Sequence, residues 1–212
     1  LTMLCKSTKP LPEKFHGLQD KEERYRKRYL DLIMNPDVKD VFLKREKIIF
    51  SIRNTMIERG FHEVDTPFLQ TVYGGAEARP FETHLNALDM KVYLAISPEL
   101  YLKRLIVGGF EKVFTIARNF RNEGVDRTHN PEFTMMEVYQ AYADYNDMMD
   151  LTEELFENAC KAINRSTKVT VGKTELDFKR PWKKVTMIDS IKEHAKIDVE
   201  KLSESELKKI IK

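Results

Sequence analysis

The sequence predicts an α/β fold of the α+β type, an antiparallel sheet flanked by helices. Three observations carry this. Residues 38–59 place Val41, Ile48, Ile49, Ile52 and Met56 at helical spacing. Residues 112–121 and 132–142 alternate with a period of two on either side of a polar loop. Beyond Asp144, Met148, Leu151, Leu155 and Phe156 form the apolar stripe of a helix running to about Ile163.

Taken in order, the chain opens on a short strand-like run, Leu1-Thr2-Met3-Leu4, broken by Lys9-Pro10-Leu11-Pro12. Residues 13–35 are dense in charge, and Lys21 to Arg28 holds five cations and two anions. Such a run fits a solvated helix face; the alternative is a connector near an RNA or dimer surface. The helix over 38–59 ends at Gly60, where a glycine cap belongs. Phe61 to Thr66 reads as extended, and Pro67 closes it by fixing the backbone and removing a donor. The loop Tyr73-Gly74-Gly75-Ala76 turns on paired glycines, which also allow close approach to a ligand. A strand over Lys91 to Ile96 alternates Val92, Leu94 and Ile96. Ser97-Pro98-Glu99 then starts a helix, with Ser as N-cap, Pro in the first turn and an acid near the positive end of the dipole. Gly108-Gly109 stops it. A hairpin is expected near 168–171 and 175–178 around Gly172. Two helices follow, signalled by Thr186-x-x-Asp189 and Ser203-x-x-Glu206.

Composition narrows the function. Of 212 residues, 36 are Lys or Arg and 34 Asp or Glu, a net charge of +2. That excludes nucleic-acid binding by bulk positive charge, so any RNA contact must come from local patches. With 42% apolar residues the chain can bury a core, which argues against global disorder. Apolar runs are too short for a membrane span, and no signal core follows a basic start. Two separated cysteines, Cys5 and Cys160, make neither a zinc site nor a disulfide framework, so a reducing, cytoplasmic setting is expected. Five histidines without HxxxH or CxxC spacing argue against a dedicated metal site. No GxxxxGK[ST] loop is present, which disfavours P-loop phosphoryl chemistry.

The chemistry concentrates in the middle of the chain. Alternation puts Phe133, Met135, Glu137 and Tyr139 on one face of their strand, and Thr115, Ala117, Asn119 and Arg121 on one face of theirs. An anion mid-strand is costly unless paired. The plain explanation is a salt bridge to a neighbouring Arg. If the strands pair antiparallel, however, Arg121, Glu137 and Tyr139 line one cavity, suited to a ligand carrying both a cation and an anion, such as an amino acid. The loop from Arg121 to Phe133 is polar and cationic; it reads either as a solvated hairpin loop or as a phosphate- and base-contacting one.

Phe120-Arg121-Asn122-Glu123, followed by His129-Asn130-Pro131-Glu132-Phe133-Thr134-Met135-Met136-Glu137-Val138-Tyr139, resembles motif 2 of class II lysyl-tRNA synthetases. The helix 38–59 running through Gly60-Phe61-His62-Glu63-Val64 to Thr66-Pro67 is similar to motif 1. Gly74 to Phe81, Pro98 to Lys103, Ala141 to Tyr145, and Lys14-Phe15-His16-Gly17-Leu18 through Arg28 to Leu32 resemble further segments of that family. The resemblance is strong over roughly residues 1–163 and weak beyond.

It implies a class II synthetase-like antiparallel sheet, incomplete at the C-terminus. It implies residues 1–20 as the end of an OB-fold anticodon-binding domain with its linker, and 21–212 as a partial catalytic domain holding motifs 1 and 2. It implies a Gly75 carbonyl and Glu99 on the α-amino group of lysine, and Arg121 on the carboxylate and then the α-phosphate. Glu137 and Tyr139 would receive the side-chain ammonium. Glu123, His129 and Asn130 would contact ATP, with Phe133 under the adenine. Pro67 and the helix before it would lie at a homodimer interface. The partners implied are lysine, ATP and tRNA(Lys), with no membrane. Chemistry would rest on charge and alignment, by Arg121 and Mg²⁺, rather than on a protein nucleophile.

The sequence departs from the family pattern in three ways. Motif 3 is absent, and the Mg²⁺ ligands are expected beyond Lys212, with no metal ligand in this chain; a fragment cut at both ends is expected. Thr128 stands where some members place Arg, with Arg127 one position earlier. Two alternatives therefore stay open: an aspartyl, asparaginyl or protein-lysylating relative, or a non-catalytic dimerisation or regulatory module.

Overall fold

The computed structural model describes residues 2, 4–6, 8–11 and 18–210. The strand-like run at 1–4, the 1–20 domain limit and the Lys14–Gly17 stretch fall wholly or partly outside the described residues. Thr2 and Leu4 themselves have no regular structure.

The charged segment forms two short helices, α1 (Lys21–Arg26) and α2 (Arg28–Met34), broken at Lys27. Their outer faces are solvated, as the charge run suggests. Asp31 is the exception: it is fully buried, and it accepts from Arg24 Nε at 2.8 Å, Asn35 Nδ2 at 2.7 Å and the Arg28 guanidinium. Burial raises its carboxyl, but the hydrogen bonds from Asn35 and Arg24 and the charges of Arg24 and Arg28 outweigh that and hold it below the usual range. The knot ties α1 and α2 to the start of the next helix.

That helix, α3 (Pro36–Glu58), starts on a proline in its first turn. It ends as expected at Gly60, whose φ of +79° suits glycine. Phe61 N–H donates to Met56 O (3.0 Å) and Gly60 N–H to Ile57 O (2.9 Å), the paired bonds of a Schellman motif. The extended run after it is shorter than predicted. Only β1 (His62–Glu63) pairs, and it pairs parallel to a later strand.

Next come β2 (Leu69–Gln70), β3 (Glu82–Leu85), a 3₁₀ turn (Asn86–Leu88) and β4 (Met90–Leu94), a small antiparallel sheet in the order β2-β4-β3. The sequence signalled only β4. The other two strands are too short to show alternation. Helix α4 (Glu99–Val107) follows and stops at Gly108-Gly109.

The main sheet has the order β1-β5-β6. Strands β5 (Lys112–Phe120) and β6 (Glu132–Gln140) pair antiparallel over their full lengths, with Thr115 opposite Glu137, Val113 opposite Tyr139 and Asn119 opposite Phe133. One face carries Phe114, Ile116, Met136 and Val138 onto a core with Met56, Phe61 and Leu151, so α3 and α5 (Tyr145–Asn164) cover that side. The opposite face carries three of the predicted site residues, Phe133, Glu137 and Tyr139.

A capping box of Asp144 and Asp147 starts α5. Phe156 departs from the expected stripe. It is half exposed, stacks on Phe178 and meets Trp182 edge-on, each ring centre 5.7 Å away, because it lies on the flank of the helix beside Leu155. The hairpin β7 (Lys168–Val171) and β8 (Thr174–Asp177) turns at Gly172 as predicted. Helices α6 (Met187–Ala195) and α7 (Glu204–Ile210) are capped by Thr186 and Ser203. No helix among the described residues is long and apolar enough to cross a membrane.

Candidate functional site

The site forms where the small sheet, α4 and the β5–β6 hairpin meet. Ala95 makes the junction. Its N–H donates to Phe68 O and its carbonyl accepts from Phe120 N–H, both at 2.8 Å. That pair of bonds sets the start of α4 beside the end of β5, one residue before Arg121.

Glu137 is half-buried on β6. Ser97 Oγ donates to its Oε1 at 2.7 Å, and Tyr139 Oη donates to its Oε2 at 3.3 Å. No cation bridges it among the described residues, so the plain explanation of a neighbouring Arg does not hold. The Tyr139 phenol is pushed well above the usual tyrosine range, first by burial and then by the negative charges of Glu137 and Glu99. Tyr139 therefore stays a neutral donor, and both carboxylates lie close enough to act on it.

Glu99 sits in the first turn of α4. Its Oε1 accepts from Lys103 Nζ at 2.5 Å, one turn along the same helix. Gly75 lies against it: with φ +88°, an added Cβ would fall 2.7 Å from Glu99 Cβ and 2.9 Å from Ser97 Oγ. The paired-glycine loop is thus a close backbone approach as well as a turn. Gly75, Ser97, Glu99, Glu137 and Tyr139 form one cluster.

Arg121 stands at the other end of the face. Its backbone N–H donates to Pro131 O at 2.9 Å, closing the loop between the strands. Its guanidinium lies 5.2 Å from the centre of the Phe133 ring, and its buried Nε has no partner. No hydrogen bond among the described residues joins Arg121 to Glu137 or Tyr139. The strands pair antiparallel, as the shared-cavity reading required, and the two charges occupy one face without touching.

The loop between the strands is organised by Asp126, which the sequence did not single out. Its Oδ1 accepts from Thr128 N–H (2.7 Å) and His129 N–H (2.9 Å), and its Oδ2 lies 2.8 Å from His129 Nδ1. Those bonds, the Thr128 N–H first, hold its carboxyl far below the usual range. The imidazole is thereby oriented with Nδ1 towards Asp126. Glu123 Oε1 accepts from Arg79 N–H at 3.3 Å, and Asn122 N–H donates to Arg79 O at 2.8 Å, which lays the loop against residue 79. Asn130 and Arg127 are exposed. Pro67 is exposed, and its carbonyl accepts from Gln70 Nε2.

Ser97 is the second residue that sequence reasoning missed. The helix starts one residue later than its signal predicts, with Pro98 and not Ser97 in the N-cap position, but Ser97 Oγ still caps Glu99 N–H, accepting from it at 3.1 Å. Its bond to Glu137 spans 40 residues and has no local signature. Among the described residues no group of three or more His, Cys, Asp or Glu converges as metal ligands, so no step is assigned to Mg²⁺ here.

Apart from this cluster, a cleft of about 550 Å³ lies between Arg59, Lys112, Gln140 and the acidic face of α5. Arg180 closes it, donating to Glu157 Oε2 at 2.7 Å and to Glu154 Oε2 at 3.2 Å.

Residues 20–210 match the family model for class II tRNA synthetases (D, K and N). The chain is 58% identical over 204 residues to the lysine–tRNA ligase of Clostridium novyi, covering 96% of this chain and 40% of that protein. It is 57% identical to the Clostridium perfringens enzyme of the same name, with 96% and 41% covered. The Clostridium acetobutylicum one is 57% identical over 198 residues, with 93% and 38% covered. The chain spans about 40% of the length of these curated relatives. On these matches, and with the motif-bearing strands placed as described, the chain belongs to the class II tRNA synthetase family that handles aspartate, lysine and asparagine.

Proposed function

We propose that the chain is the amino-acid- and ATP-binding part of a lysine–tRNA ligase. One observation supports lysine most directly. Glu137 is a half-buried carboxylate that receives two O–H donors and, among the described residues, no cation. A buried anion without a counter-ion is costly, and an ammonium group of a ligand supplies what is missing. An acidic or amide side chain would meet repulsion or an unpaired charge there. The names of the relatives, lysine–tRNA ligases, favour the same reading.

In this reading Glu99 and the Gly75 carbonyl hold the α-amino group, and Glu137 with Tyr139 holds the ε-ammonium. Arg121 leaves the Phe133 ring for the substrate carboxylate. Glu123, His129 and Asn130 contact ATP, and Phe133 offers its face to the adenine. A carboxylate oxygen of lysine attacks the α-phosphorus; the new O–P bond forms as the bond to pyrophosphate breaks. Arg121 offsets the charge that grows on the α-phosphoryl oxygens. The 3′-terminal ribose of tRNA(Lys) then takes the lysyl group and AMP leaves. Alignment and charge carry both steps, with no protein nucleophile. Mg²⁺ would neutralise the phosphates in this reading. A cytoplasmic homodimer, with Pro67 and α3 at its interface, completes the proposal. The exposed Val41, Phe50 and Ile57 on α3 agree with that.

Calorimetric titration with lysine, ornithine, aspartate and asparagine tests the assignment, with Glu137→Ala as the blank. Selective lysine binding that vanishes in the variant supports it. Binding of aspartate or asparagine in place of lysine sinks it.

A further inference from the structure

Ser97 is buried, and its hydroxyl touches three parts of the site at once. It accepts from Glu99 N–H at 3.1 Å and donates to Glu137 Oε1 at 2.7 Å. It also lies 2.9 Å from where a Cβ on Gly75 would stand. A hydroxyl has one proton. Ser97 gives it to Glu137. Ordinary N-capping requires none of this: the cap needs only the lone pair facing Glu99 N–H.

These contacts have a geometric consequence. Gly75 and Glu99 are the α-amino end of the pocket in the reading above, and Glu137 is the ammonium end. Ser97 is the bonded link between the two ends. The other hydroxyl on Glu137, from Tyr139, comes from the same strand and so leaves the carboxylate free to move relative to α4. We propose that Ser97 is a positioning residue that fixes the Glu137 carboxylate relative to the start of α4, and so sets the side-chain length of the cationic amino acid the site accepts. The inference rests on the lysine-binding reading of the cluster.

The test uses the full gene product carrying these residues. Two readouts are taken with lysine and ornithine: calorimetric affinity, and amino-acid-dependent exchange of pyrophosphate into ATP. Ser97→Ala should weaken lysine about tenfold to a hundredfold, the worth of one hydrogen bond to a charged group. The loss should fall on KM for lysine more than on kcat or on KM for ATP. Preference for lysine over ornithine should fall by a similar factor, because the carboxylate can then follow the shorter chain. Ser97→Thr, which keeps both the cap and the proton, should restore the preference. A lower Tm in Ser97→Ala with an unchanged lysine-to-ornithine ratio would make Ser97 a helix cap alone and overturn the proposal. If wild-type protein shows no preference for lysine and Glu137→Gln changes nothing, the lysine reading itself fails and takes the proposal with it.

Discussion

On α5, Glu153 and Glu157 are buried and the protein answers them itself. Trp182 N–H donates to Glu153, and Arg180 and Lys161 meet Glu157. Glu154 beside them takes Arg59 and Arg180. On β6, Glu137 is answered among the described residues only by hydroxyls, from Ser97 and Tyr139. Both regions bury carboxylates, and between Glu157 and Glu137 the difference lies in where the positive charge comes from; Glu153 is met by an amide N–H alone among the described residues. The α5 cluster is closed and holds the 178–182 segment onto the helix. The β6 cluster is one cation short. A carboxylate with hydroxyl donors and no internal cation is built for a charge that arrives from outside.

The contrast yields predictions on separate observables. Glu137→Gln should keep the fold and cost lysine binding about 2–5 kcal/mol, at least about 30-fold in Kd, read by calorimetry. A change of less than about threefold would put Glu137 with the structural acids. Arg180→Ala should do the reverse. It should lower stability by about 1–3 kcal/mol in urea unfolding, because it strips cations from two acids, with the lower end favoured by its partial exposure. Lysine affinity should stay where it is. Tyr139→Phe removes one neutral donor and should weaken lysine by about fivefold, or about 1 kcal/mol.

The smallest expected effect is in pH. Hydrogen bonds hold Glu154 (Arg59 first) and Glu157 (Lys161 first, then Arg180) below the ordinary 4.5. As pH falls, the unfolded chain takes up these protons before the folded one does. The stability these acids add is therefore complete above the ordinary carboxylate range and is lost as pH falls through the lower folded values. Thermal unfolding from neutral pH down through that window should show the decline, and Arg180→Ala should flatten it.

Much of this was legible in the chain. The alternation at 112–121 and 132–142 placed Arg121, Glu137 and Tyr139 on one side of a strand pair; the register puts Glu137 and Tyr139 on one face, while Arg121 lies one residue past the end of β5. Caps at Thr186 and Ser203 and the stop at Gly60 were local signals with local causes. The two-residue strands β1 and β2 were invisible or overextended, because so short a pair has no period and is fixed by its neighbour. The charge on α5 was equally silent: helical spacing showed an apolar stripe and gave no sign that Glu153 and Glu157 would be buried beside it.

The sequence by itself determined the longer elements, most of their ends and the face on which each residue of the long strands lies, because backbone periodicity and short-range hydrogen bonds are properties of neighbouring residues. Tertiary structure alone decided which carboxylates found a cation. Ser97 meets Glu137 across 40 residues, and Arg180 meets Glu157 across 23. Such pairings are set by how α4 and the 178–182 segment pack. Charge complementarity acts between groups that packing has brought together, and no spacing along the chain encodes it.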